Sequence, residues 1–212
     1  MLAAVTHLRP TADLAERALL PDDPGQALAL TRVLFDVTPR MFNHHRGLWG
    51  YSGVALDGAP LTVQSTGVGG PSAAIVVSEL HALGLRRAVR IGRAWGLTDL
   101  VRPGDLVAGE RVLCGDGASR ALAGAASVHP DAELSAALAA DHRGTLASGD
   151  LTEPDPAWDA LAHDLESAAV LAAASHAGVR AATLVAIQGP GEDDAVAERL
   201  GRAALAAIAA TS

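Results

Sequence analysis

Gln64-Ser65-Thr66-Gly67-Val68-Gly69-Gly70-Pro71-Ser72 is followed by an apolar segment and then by Arg90-Ile91-Gly92-Arg93-Ala94-Trp95-Gly96. Both runs have the composition of ligand loops at the ends of strands. The glycines let the backbone approach a ligand closely. Pro71 suits the first turn of a helix, where its missing N–H is an orphan in any case. Ala73 to Leu83 stays apolar and helix-compatible up to Gly84, and Ala88-Val89-Arg90-Ile91 then reads as a buried strand. With Pro60-Ser65 in front, strand, helix and strand follow within about thirty residues, the spacing of a βαβ crossover.

Working outward, Asp57-Gly58 is a hairpin turn signal between Gly47-Leu56 and Pro60-Ser65, which predicts two antiparallel strands. Upstream, Thr11-Arg17 looks helical, Ala18-Leu20 reads as a strand stopped by Pro21-Asp22-Asp23-Pro24, and Gln26-Phe35 reads as a helix. Downstream, Asp105-Leu113 is a strand and Gly115-Ala126 a surface loop. Helices are predicted over Asp131-Ala140, Asp159-Ala177 and Asp193-Ala210, and strands over Gly144-Ser148 and Ala181-Gln188. Val196, Leu200, Ala204 and Ile208 form one stripe of the closing helix. The class is α/β with a mixed, largely parallel sheet, and the 212 residues contain no linker-like segment, so a single domain over 1–212 is expected.

Half of the residues are apolar, 19% are charged and the formal charge is -8, with all 16 bases arginine. Such a balance argues against a nucleic-acid or anionic-membrane surface. No apolar run reaches the roughly 18 residues of a membrane span. The first residues lack the pattern of a secretory leader and the lone Cys114 has no intramolecular partner, so a cytoplasmic protein is expected.

The motif order resembles the nucleoside phosphorylase family, in its purine nucleoside phosphorylase and uridine phosphorylase branch. The resemblance rests on the Gly67-Ser72 loop, Leu83-Gly84, Arg90-Ile91-Gly92 and Gly104-Asp105-Leu106-Val107. It rests also on Leu20-Pro21-Asp22-Asp23-Pro24, on Arg46-Gly47 before the hairpin, and on Asp164-Leu165-Glu166-Ser167-Ala168-Ala169. It implies the family's α/β domain, a mixed sheet forming a distorted barrel flanked by helices. It also implies cleavage of the bond between a nucleobase and ribose, with phosphate as co-substrate and no cofactor.

Carried over residue by residue, the resemblance assigns Arg46 and Arg90 to phosphate, with Arg93 standing where a small hydroxyl residue is usual. Asp22 and Gln26 replace a glycine and an arginine of that site. Asp22 can therefore neutralise the arginines, Arg93 included, and compete with a bound anion. Glu166 matches the glutamate that binds ribose hydroxyls, although an acid in a first helical turn also suits the helix dipole. Val68 of the glycine loop lines the sugar, and His7 resembles a histidine that reaches a neighbour's ribose or is simply a surface residue.

Trp95, Leu165 and Gln188 fall in the base pocket, where Trp95 either stacks on a base or fills the space. The family's catalytic acid has no counterpart, because Gly189 stands at its position; Glu192, Asp193 and Asp194 lie close in sequence. Thr152 replaces an aromatic residue. Neither Asn43-His44-His45 nor Cys114 with His129 has the spacing of a metal site or a nucleophile pair. The resemblance predicts a homodimer or hexamer in which Arg46 acts across an interface. Two further readings stay open, a non-catalytic nucleoside- or anion-binding member and a hydrolytic nucleosidase.

Overall fold

A computed structural model describes residues 5–189, 191 and 194–211. In chain order the elements are β1 (Arg17–Leu20), α1 (Pro24–Leu34), β2 (Arg40–Asn43), β3 (Gly50–Val54), β4 (Pro60–Gln64), α2 (Gly70–Ala82), β5 (Arg87–Gly96) and β6 (Leu106–Cys114). They continue with α3 (Gly117–Ala123), β7 (Ser127–Val128), α4 (Ala132–Ala137), β8 (His142–Ser148), β9 (Ala162–Asp164), α5 (Ser167–Ala177), β10 (Arg180–Ile187) and α6 (Asp194–Ala210).

Strands β5, β10, β6, β8 and β9 pair in turn and close on β5, which makes a five-stranded mixed barrel. From β5 the sheet continues outward through β1, β4, β3 and β2. The expected barrel flanked by helices is therefore present. Parallel and antiparallel pairings are equally represented, so the sheet is less parallel than its sequence suggested. The crossover through α2 joins β4 to β5 with β1 inserted between them, all three parallel. The β3–β4 hairpin pairs Val54 with Pro60 around Asp57-Gly58, and Arg17 clamps Asp57 with two hydrogen bonds of 2.5 and 2.6 Å.

Two apolar cores lie on opposite faces of β5. Ala88 and Ala94 pack with α2 and α5, whereas Val89 and Ile91 pack with α1 and α6. Strand alternation thus turns Arg90 toward the first core and Arg93 toward the second. The carboxyl ends of β1, β4, β5 and β10 lie together, the place where α/β sheets present ligand loops.

Several elements differ from the sequence reading. Thr11–Glu16 is not helical; it is irregular and tied to the sheet, with Ala15 N–H donating to Thr62 Oγ1 and Glu16 O accepting from Arg86 and Arg87. Gly115–Ala126 contains α3, whose N-terminus is capped by the Asp116 carboxylate on Ser119 N–H at 2.8 Å. The helix expected over Asp159–Ala177 is divided, because Ala162–Asp164 is spent as β9 between β5 and β8 and Asp164 then caps Ser167 N–H. Of the 131–140 helix only Ala132–Ala137 is helical. Pro190, Glu192 and Asp193 lie outside the described residues.

Candidate functional site

Two loops are zipped together at the carboxyl ends of the strands. Thr66 N–H donates to Pro21 O at 2.8 Å and Gly67 N–H to Asp22 O at 3.0 Å, which fixes the loop after β1 against the glycine loop after β4. Gly69 has φ +88° and precedes α2, so the helix starts without a side-chain cap. Its N–H instead donates to Glu166 Oε1 at 2.8 Å, placing that carboxylate at the positive end of α2.

Arg90 is wholly buried and is the centre of the site. Its Nη2 donates to Glu166 Oε2 at 2.8 Å and to Asp164 Oδ2 at 3.4 Å, and its Nη1 lies 3.3 Å from Asp22 Oδ1. Nη1 also donates to Ile91 O, so the side chain folds back over its own strand. That path needs a glycine at 92, because a Cβ there would overlap Arg90 Nη1 and come within 2.5 Å of Asp22 Oδ1. Asp164 is fixed by Ser148 Oγ at 2.6 Å and Ser167 Oγ at 2.5 Å, and Ser167 Oγ meets Thr183 Oγ1 at 2.7 Å.

The electrostatics of this cluster are lopsided, with one guanidinium among three carboxylates. Burial works against the charge on Arg90, but Asp22, Glu166 and Asp164 outweigh it and hold its pKa above the ordinary value. Burial pushes the Glu166 carboxyl above the usual carboxylate range; Arg90 draws it down, and Asp164 and Asp22 push it up again. Among the three acids only Asp22 reaches solvent, with 28% of its side chain exposed against 2% for Asp164 and 5% for Glu166. Asp22 therefore stands where an external anion would approach Arg90. Of the arginines that the sequence placed within its reach, Asp22 pairs with Arg90.

The other predicted residues divide into three groups. Arg93, Gln188 and Gly189 line a cavity of ≈ 420 Å³ together with Gln26, between α1, α6 and the end of β10. The structure thus gathers residues expected at phosphate and at base in one cavity, which Arg90 and Glu166 do not line. Trp95 is half-buried and packs on His163, its cross-strand partner in β9, with ring centroids 4.8 Å apart. Trp158 also packs on His163, with ring centroids 5.7 Å apart. Leu165 is half-buried between His163 and Glu166, and Gln188 is exposed.

Arg46, Val68 and His7 lie apart. Arg46 is exposed on a turn with φ 59° between β2 and β3, far along the sheet path from β10. Val68 is 74% exposed at the tip of the glycine loop. His7 Nδ1 lies 2.8 Å from Glu79 Oε1 on α2, whose carboxylate also accepts the N–H groups of Thr6, His7 and Leu8. Among the described residues no group of His, Cys, Asp and Glu side chains is placed to hold a metal ion. Cys114 is buried, and no helix among the described residues is long and apolar enough to cross a membrane.

No local motif gives a role to Asp164, Ser148, Ser167, His163 or Trp158. The polar residues of Asp164-Leu165-Glu166-Ser167 were the available signal, since alternate positions there face one buried guanidinium.

Comparison with known proteins matches residues 16–211 to a family described as the phosphorylase superfamily. A DeoD-type purine nucleoside phosphorylase of Clostridium perfringens is 37% identical over 95 residues, 44% of this chain and 40% of that protein. A uridine phosphorylase of Thermococcus kodakarensis is 32% identical over 108 residues, 51% of this chain and 38% of that protein. A uridine phosphorylase of Haemophilus influenzae is 34% identical over 121 residues, 56% of this chain and 47% of that protein. The matched segments span less than half the length of each of these relatives.

Proposed function

We propose, from the fact that this chain belongs to the phosphorylase superfamily, that it binds a nucleoside and cleaves its N-glycosidic bond with phosphate as acceptor. The observation that carries this reading is the meeting of Glu166 with both Gly69 N–H and Arg90, each at 2.8 Å, beside a glycine loop. A buried carboxylate held in this way suits a pair of ribose hydroxyls. Arg90 beside it suits the anion that stabilises positive charge developing on the sugar. Phosphate reaches Arg90 by displacing Asp22, the most exposed of its partners, so weak phosphate affinity belongs to the proposal. Arg93 and Gln26 line the separate cavity on the other face of β5 and stand outside this phosphate contact.

A second reading, hydrolysis, is favoured by the same Asp22. A carboxylate that stays beside Arg90 fills the place of phosphate and accepts a proton from an attacking water. No organic or metal cofactor enters either reading. We further propose a homodimer or hexamer in which Arg46 crosses an interface; its exposed turn is flanked in the chain by the exposed Met41 and Trp49, a surface suited to a second copy.

The test is incubation with purine and pyrimidine nucleosides, with and without phosphate, while free base is followed. Release that depends on phosphate supports phosphorolysis and equal release without it supports hydrolysis. No release across the panel leaves a non-catalytic binding member.

A further inference from the structure

Resting on the nucleoside reading above, we propose that His163 is the residue that recognises the nucleobase, its ring nitrogens hydrogen-bonding the base edge while Trp95 and Trp158 supply the stacking faces. His163 is 0% exposed, yet neither Nδ1 nor Nε2 has a hydrogen-bond partner among the described residues. An apolar ring of similar size would fill the same space without two unsatisfied polar atoms. Both indoles contact the imidazole at a tilt, with ring centroids 4.8 Å away for Trp95 and 5.7 Å for Trp158. It is also three residues before Glu166 in sequence, on the strand that leads into the proposed ribose contact.

The chemistry fits a neutral heterocycle. Burial holds the His163 pKa below its ordinary value, only partly offset by Asp164, so the ring offers one N–H donor and one bare nitrogen acceptor. Nucleobase edges present the same two kinds of group, and their faces stack on indoles. Trp158 is wedged against Gly115 and Gly149, whereas Trp95 lies near the end of β5 and is the ring that yields to an entering base. With Gly189 at the position of the missing acid, the His163 N–H is the donor that meets the leaving base. When the C1′–N bond breaks, its electron pair goes to the base and is stabilised by that hydrogen bond. A phosphate oxygen forms the new C1′–O bond, and the proton that the base takes up comes from solvent.

The test uses the full chain carrying Trp49→Phe, so that emission comes only from Trp95 and Trp158, titrated with adenine, uracil and their nucleosides. His163→Phe keeps an aromatic ring but removes both nitrogens; His163→Asn restores hydrogen bonding. Saturable quenching is expected in the parent, with Kd raised about tenfold or more in His163→Phe and kept within about threefold in His163→Asn. Melting followed by circular dichroism is expected to leave His163→Phe at least as stable as the parent. Equal affinity in the parent and His163→Phe, or equal loss in both variants, overturns the role of His163 while leaving the nucleoside reading standing. Absence of binding in the parent sinks that reading and this inference together.

Discussion

Arg90 and Asp22 lie 3.3 Å apart, and Asp22 is the only one of the three carboxylates around this buried guanidinium with more than a few per cent of its side chain in solvent. Replacing Asp22 by glycine removes the competing charge without disturbing Asp164 or Glu166. A pair at this distance interacts by several kcal/mol at an effective dielectric near 20, much of it screened at a partly exposed site. Asp22→Gly is expected to tighten phosphate binding by about tenfold, read as phosphate KM or by calorimetry. An unchanged affinity would show that Asp22 does not hold the anion's place.

Arg90 itself is structural as well as functional. Arg90→Met leaves Asp164 and Glu166 buried without their cation, a change that costs about 3–5 kcal/mol in comparable buried pairs. Urea unfolding should show a loss of that order, while Asp22→Gly should change stability by much less. Equal stability of Arg90→Met and the parent would contradict the buried-pair account.

Glu79 makes the N-terminal segment sensitive to acid. Burial pushes its carboxyl upward, but the N–H groups of Thr6, Leu8 and His7 and the His7 ring outweigh that and hold it at about 2, against an ordinary 4.5. A depressed carboxylate contributes stability that is complete above pH 4.5 and is lost as pH falls toward 2. The contribution is on the order of 3 kcal/mol. Glu79→Gln should be destabilised by a comparable amount at pH 6 and converge on the parent near pH 2; parallel stability curves at all pH values would refute the assignment.

Gly115 makes room for Trp158. A Cβ at this position would overlap the Trp158 ring and come within 2.5 Å of Ser148 O, a backbone atom that cannot swing aside. Gly115→Ala is expected to cost about 1–3 kcal/mol and to shift Trp158 emission to longer wavelength. Parent-like emission and melting would show that the wedge is not tight.

Much of the fold was legible because its signals are local. Asp57-Gly58 marked the β3–β4 hairpin, and Gly70-Pro71 marked the start of α2. The Asp159–Ala177 segment misled because three residues of β9 are too few to show alternation, and alanine-rich sequence beside α5 continues a helical composition. Gly115–Ala126 misled through composition, although Asp116 and Gly124 mark the two ends of α3. In the site, Arg90 and Glu166 were recognisable one at a time. Their direct pairing, and the turning of Arg93 to the opposite face of β5, depend on strand parity and long-range packing that no local motif encodes.

Phosphorus NMR of the protein with a nucleoside and inorganic phosphate follows transfer of a ribosyl group to phosphate at the Arg90–Glu166 site. A sugar 1-phosphate signal is expected to grow in step with free base, slowly in the parent and faster in Asp22→Gly at low phosphate. Free base without any sugar phosphate, or an unchanged spectrum in both proteins, would contradict it.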